Sequence, residues 1–121
     1  MDAAVKEALG KGGIIDITTT GRKSGEARRI EIMFHAIDGK VYISGYPRPQ
    51  KRRWLMNLEA NPSFTLHLKE DVKADLPATA RVVTDATERR QLLPTVSKTW
   101  GRDDIDVMIE QSPLVEVTFE E

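Results

Sequence analysis

Four cationic side chains, Arg22, Lys23, Arg28 and Arg29, fall within residues 21–29, directly after the run Thr18-Thr19-Thr20. A second cationic set, Arg48, Lys51, Arg52 and Arg53, stands just before Trp54. Arginine and lysine bind phosphate and carboxylate, arginine through paired N–H donors. Gly21 and Gly25 bracket the first set around Ser24; glycine permits positive φ and lets a backbone approach a ligand closely. Such a pattern offers anion binding. The chain as a whole has a net charge of −1, so the cations are confined to two segments and the remainder is acidic. Confinement of this kind points to a local anionic ligand rather than to general polyanion binding. Solvated loop charge is the other reading of the same spacing, and spacing does not decide between them.

Other chemistries are poorly supplied. There is no cysteine, which removes disulfides, thiolate zinc sites and a cysteine nucleophile. His35 and His67 are the two histidines, and no metal site is expected from them. Both fall on polar strand positions and read as surface histidines. Gly21-Arg22-Lys23-Ser24 has the ending of a phosphate-binding P-loop, but the upstream glycine and its spacer are missing. No dinucleotide-binding glycine pattern and no serine-hydrolase elbow occurs. Asp103, Asp104 and Asp106 read as a helix start and its solvated face. Trp54 has two readings, as core packing at helical spacing from Leu58 or as a flat wall for a ring, with Tyr46 close by.

The elements that must position these residues follow from periodicity. Residues 2–9 form a short helix capped by Asp2 and ended by glycines. Residues 14–19 are β-branched and extended. After the turn, residues 28–36 alternate, with Ile30, Ile32, Phe34 and Ala36 on one face. Asp38-Gly39 marks a hairpin, and residues 41–44 return with Val41 and Ile43 inward. Pro47 and Pro49 stiffen the next loop. A helix over about residues 51–60 carries Trp54, Leu55 and Leu58 on one face and stops at Asn61-Pro62. Its first turn is cationic, against the helix dipole; an anion held there by dipole and side chains together would resolve the misfit. Residues 64–69 are a strand, about 71–76 a polar excursion with strand character at its ends, and 78–83 a strand. Asp85 and Glu88 form a capping box. The helix they open should run towards Trp100 and be kinked or split by Pro94. Ile105, Met108 and Ile109 mark another short helix, and residues 114–119 a last strand.

The 121 residues, 40% hydrophobic and 31% charged, suit one domain over residues 1–121 with one core. The expected fold is mainly β, of the α+β class. About six mostly antiparallel strands form a barrel or a strongly curved sheet, with three or four peripheral helices. No apolar run is long enough to span a bilayer, and no signal peptide is visible, so the expected location is the cytoplasm.

Ile17-Thr18-Thr19-Thr20-Gly21-Arg22-Lys23-Ser24-Gly25, then Arg28, Tyr42-Ile43-Ser44, and Trp54 followed by Asn57-Leu58 and Ala60-Asn61-Pro62, resemble the deazaflavin-dependent nitroreductase family. That family belongs to the split β-barrel, pyridoxamine-phosphate-oxidase-like superfamily of flavin and deazaflavin proteins. The likeness is good over about residues 14–69. It implies coenzyme F420, a deazaflavin with an anionic tail, with FMN or haem as the superfamily's alternatives. By resemblance, Arg22, Lys23, Ser24 and Arg28 hold the phosphate and tail. Ser44, Gly45, Lys51, Arg52, Arg53, Trp54 and Asn57 line the ring and its approach, and Tyr46 is the candidate proton donor. The implied activity is hydride transfer from reduced deazaflavin to a small unsaturated, nitro or quinone-like acceptor. A non-catalytic binder or carrier of the cofactor is the alternative. A homodimer is implied by analogy. Nucleic acid is not an expected partner, because few aromatics interleave with the cations and the net charge is negative.

Overall fold

The structure, a computed structural model, describes residues 1–120. Its elements run α1 (Ala3–Leu9), β1 (Gly13–Thr20), β2 (Ala27–Ile37), β3 (Lys40–Ser44), α2 (Arg53–Ala60), β4 (Ser63–Leu68), β5 (Ala74–Val82), α3 (Ala86–Trp100), α4 (Ile105–Gln111) and β6 (Leu114–Phe119). The six strands form a closed antiparallel barrel in the order β1-β2-β3-β6-β5-β4, with β4 pairing back onto β1. Closure leaves no free sheet edge.

Local sequence accounts for the connections. The Asp2 carboxylate accepts the Val5 N–H at 2.9 Å and caps α1. Asp38 and Gly39 both take positive φ, 51° and 76°, as the tight β2–β3 hairpin requires. Alternation fills the barrel with Ile15 and Ile17 of β1, Phe34 of β2, Ile43 of β3, Leu66 of β4, and Val115 and Val117 of β6. Helix α1 adds Val5 and Leu9 to this core, and α2 adds Leu55 and Leu58.

A second core lies outside the barrel. There α3 and α4 pack Leu93, Val96 and Met108 on Tyr42, Val83 and Leu114. This outer layer corrects the expectation for His35. The residue does point away from the barrel, but α3 covers that face, and His35 is only 5% exposed. His67 is also buried; it bridges Thr18 of β1 and Asp75 of β5, each at 2.7 Å. Ala36, expected inward, is exposed near the end of β2.

The strand character expected at the end of the polar excursion carries β5 back to Ala74, because Ala74, Leu76 and Ala78 face inward while Asp75 and Thr79 face water. Pro77 is tolerated because its missing N–H faces β6 just beyond the last paired residues of that ladder. Pro94 does not split α3, which runs unbroken to Trp100 and ends on Gly101 in the left-handed conformation. Among the described residues, no helix is long and apolar enough to cross a membrane.

Candidate functional site

The turn after β1 is held by its own backbone. The Gly21 N–H donates to Glu26 O at 2.8 Å, and the Gly25 N–H donates to Gly21 O at 2.9 Å. A Cβ at Gly21 would come within 2.6 Å of Ser24 Oγ and 3.3 Å of the Glu26 carbonyl, so a side chain there would push the Ser24 hydroxyl out of the turn. Gly25 takes a φ of 71°. The Ser24 hydroxyl accepts the Glu26 N–H at 3.2 Å, which leaves its hydrogen free to donate.

Asn57 joins this turn to α2. Its Oδ1 accepts the Arg22 N–H at 3.0 Å, and its Nδ2 donates to Thr19 Oγ1 at 3.1 Å. Asn57 and Thr19 are both buried, so each partner satisfies a polar group that water cannot reach. The start of α2, where Arg52 and Arg53 of the second cationic cluster sit, is thereby pinned to the turn carrying the first.

Between them opens a cleft of about 890 Å³. Arg22, Lys23, Ser24 and Arg28 line one side, and Arg48, Arg52 and Arg53 the other. Among the described residues, Arg22, Lys23, Arg48 and Arg53 have no ion-pair partner; Arg28 pairs with Glu26 at 3.1 Å. Arg52 donates to the Tyr46 carbonyl, and its affinity for its proton is lowered by burial and then by the charge of Arg48. Arg52 also stands at the N-cap of α2, where no side chain accepts from the helix. Orphan N–H groups and clustered cations thus share one end of the cleft. Ile30, Trp54 and Met56 provide an apolar wall, and Trp54 packs on the barrel core as well. Its two expected roles, core and ring wall, are compatible because different parts of one large side chain serve them.

Four of the residues singled out in the sequence lie elsewhere. Ser44 is fully buried in β3, 2.5 Å from His35 Nε2 and 3.1 Å from Trp100 Nε1. Gly45 lies against Pro113 and the Arg52 guanidinium, at a distance where a Cβ would crowd both. Tyr46 is half-exposed and stacks on Trp100 with ring centres 4.4 Å apart, with the Arg102 guanidinium 5.3 Å from its ring centre. Lys51 is bound by both oxygens of Glu59 at 2.9 Å. The cleft in turn includes residues that the sequence did not single out as ligands. Thr19, Ile30, Glu31 and Met56 carried no ligand signal in the sequence, whereas Arg48 stands in the second cationic set. Among the described residues, no group of three or more potential metal ligands is gathered.

A cleft lined by several cations without ion-pair partners and by an apolar patch with an aromatic ring suits a flat molecule bearing an anionic tail. A family model described as F420H(2)-dependent quinone reductase matches residues 1–117. An F420-H2 dependent reductase (FDR-A) is similar in structure, with a TM-score of 0.65 and 25% identity over 87% of this chain and 93% of that one. A conserved hypothetical protein from Mycobacterium tuberculosis shares the fold with a TM-score of 0.78 at 16% identity, over 100% of this chain and 82% of its own. The haem storage protein HutZ from Vibrio cholerae shares it with a TM-score of 0.74 at 17% identity, over 99% and 90%.

Proposed function

The chain belongs to the F420H(2)-dependent quinone reductase family, and on that premise we propose that it is an oxidoreductase using coenzyme F420 held in the cleft between the turn of residues 21–25 and α2. The acceptor in this reading is a small unsaturated, nitro or quinone-like molecule. Bound there, the reduced deazaflavin supplies the hydride. Everything else is the work of the protein's own side chains.

Arg22, Lys23 and Arg28 from the turn, with Arg48, Arg52 and Arg53 from the other side, meet the anionic end of the coenzyme. The Ser24 hydroxyl donates to one of its oxygens. Trp54, Ile30 and Met56 offer the flat apolar surface for the ring and keep water from one of its faces. Asn57 acts on the coenzyme through Arg22, by holding the turn against α2. Tyr46 lies one loop away, tied to Arg52 through its carbonyl. Tyr46, a half-exposed residue outside the cleft lining, remains the proposed proton source for the reduced product. Fixing the reactants in this way, rather than side-chain acid–base chemistry, is the protein's main contribution to rate.

The observation that carries this reading is the convergence on one cleft of Arg22, Lys23, Arg48, Arg52 and Arg53, which have no carboxylate partner among the described residues. Repulsion among them is a cost that a bound anion removes. Titration of the purified protein with F420, FMN and haem, followed by absorbance and fluorescence, tests it. Saturable binding of F420 with the tightest affinity is expected. Binding of none of the three would sink the proposal, and preference for FMN or haem would reassign the cofactor. Oxidation of reduced F420 in the presence of a water-soluble quinone or enone then separates an enzyme from a carrier.

A further inference from the structure

Trp100, the last residue of α3, meets three side chains of the β2–β3 region. Its indole N–H donates to Ser44 Oγ at 3.1 Å, its ring lies edge-on to His35 at 6.0 Å, and Tyr46 stacks on it with ring centres 4.4 Å apart. An indole nitrogen only donates, so Ser44 accepts there and its own hydrogen is left for His35 Nε2. Burial keeps His35 neutral at pH 7, with that nitrogen free to accept. Ser44 and His35 are themselves buried, so the indole is fixed from behind. Arg102, gripped by both oxygens of Asp104, stands 5.3 Å from the Tyr46 ring centre. The Tyr46 ring is half-exposed, yet two neighbours hold it.

The next contact in this series reaches the cleft. The Tyr46 carbonyl accepts from the Arg52 guanidinium. A Cβ at Gly45 would lie 3.0 Å from Pro113 Cγ and 3.3 Å from Arg52 Cζ, so the guanidinium lies against bare backbone. Arg52 has no carboxylate partner among the described residues; Gly45 and Tyr46 are what hold it where it lines the cleft. One of its five N–H donors is spent on Tyr46, and the others remain for an anion. An arginine held before its ligand arrives loses less rotamer freedom on binding it.

We propose that Trp100 is a positioning residue for Arg52, acting through Tyr46: the aromatic stack fixes residues 45–46, and these fix the guanidinium at the cleft. Trp100 and Ser44 lie outside the cleft lining, so both act at one remove. Ser44, marked by resemblance as a cofactor residue, thereby bears on the cleft without touching it. That the placed guanidinium serves the anionic end of F420 rests on the coenzyme reading; the placement itself does not.

Two measurements on the ¹⁵N-labelled protein test this. The heteronuclear NOE of the Arg52 Nε–H reports how ordered the guanidinium is without any ligand. Trp100→Leu and Tyr46→Ala should each lower it, although Tyr46→Ala keeps the backbone carbonyl. Trp100→Phe, which keeps a stacking ring, should lower it less. F420 titration then closes a double-mutant cycle. Arg52→Gln should weaken binding about tenfold, and Trp100→Leu or Tyr46→Ala about threefold. Combined with Arg52→Gln, neither should weaken it further, because the residue through which they act is gone. Losses that multiply in the double variants would overturn the proposal, since a merely structural role is independent of Arg52. So would an Arg52 signal unmoved by both changes. Should Trp100→Leu fail to fold, Tyr46→Ala, at a half-exposed position, carries the test alone. A parent that binds no F420, with Arg52 still disordered by the two changes, would overturn the coenzyme reading and uphold the positioning.

Discussion

The side-chain carbonyl of Asn57 accepts the backbone N–H of Arg22 at 3.0 Å, and this one contact ties the two cationic halves of the cleft together. The other half of the same amide reaches Thr19. Replacing Asn57 by Ala leaves the Arg22 N–H and the buried Thr19 hydroxyl without partners, a loss of about 1–3 kcal/mol. Asn57→Asp keeps an acceptor but loses the donor and adds a negative charge to a cationic cleft. Both variants should lower the midpoint of urea unfolding. Both should also weaken F420 binding, although the Asn57 side chain is committed to the turn and the end of β1. An Asn57→Ala protein with unchanged coenzyme affinity would show that the turn holds its position alone.

The cations themselves should behave in the opposite way. Arg22 and Lys23 carry no ion pair among the described residues, so their removal costs the fold little. Arg22→Ala with Lys23→Ala should change stability by no more than about 0.5 kcal/mol. The same double variant should lose F420 affinity by about tenfold or more. Chemical denaturation and fluorescence titration on one preparation give the comparison. Parallel loss of both quantities would mean that the cluster is structural.

His35 makes stability depend on pH. Burial under α3 lowers its pKa from 6.5 to about 4. Between those values the unfolded chain binds a proton that the folded chain does not, so stability rises with pH across the window. The contribution is fully present above about pH 6.5 and is lost as pH falls towards 4, up to about 3 kcal/mol. His35→Gln should flatten this part of the profile relative to the parent. Urea unfolding at pH 4.5, 5.5 and 7 measures the difference, and identical slopes would show that other groups carry it.

The same histidine shows where sequence reading stops. Strand periodicity was enough to expect an antiparallel barrel or curved sheet, because Ile15, Ile17, Ile43 and Val117 alternate with polar residues, and the family resemblance favoured the closed barrel. Glycine chemistry marked both tight turns. Alternation also put His35 on the polar side of β2, correctly, but periodicity describes one strand and cannot report that α3 later covers that side with Trp100. His67 is similar: its burial comes from Thr18 and Asp75, one on each neighbouring strand. Asp75 blurred the boundary of β5, where strand character was expected, because a polar outward residue looks like a loop. The cationic half of the cleft was legible from charge alone. Its apolar half was not, since Ile30 and Met56 have the same pattern as ordinary core residues. Ser44 shows the reverse case, a residue marked by resemblance that the fold ties to His35 and Trp100.

Arg89 should be among the most costly residues to remove. Its guanidinium fans out to carbonyls from the end of β5, the last turn of α4 and the segment before β6, and so staples three elements together. Burial lowers its pKa, yet no carboxylate balances the charge; the carbonyl dipoles do. Arg89→Ala leaves those carbonyls without a donor and should cost about 3 kcal/mol. Arg89→Lys keeps the charge but concentrates its three donors at one point, which cannot span carbonyls set around a planar fork. It should recover less than half of the loss. Arg89→Met keeps the length without either property and should resemble Ala. Urea unfolding of the three variants distinguishes fork geometry from charge. A lysine variant as stable as the parent would show that a cation alone suffices at this position.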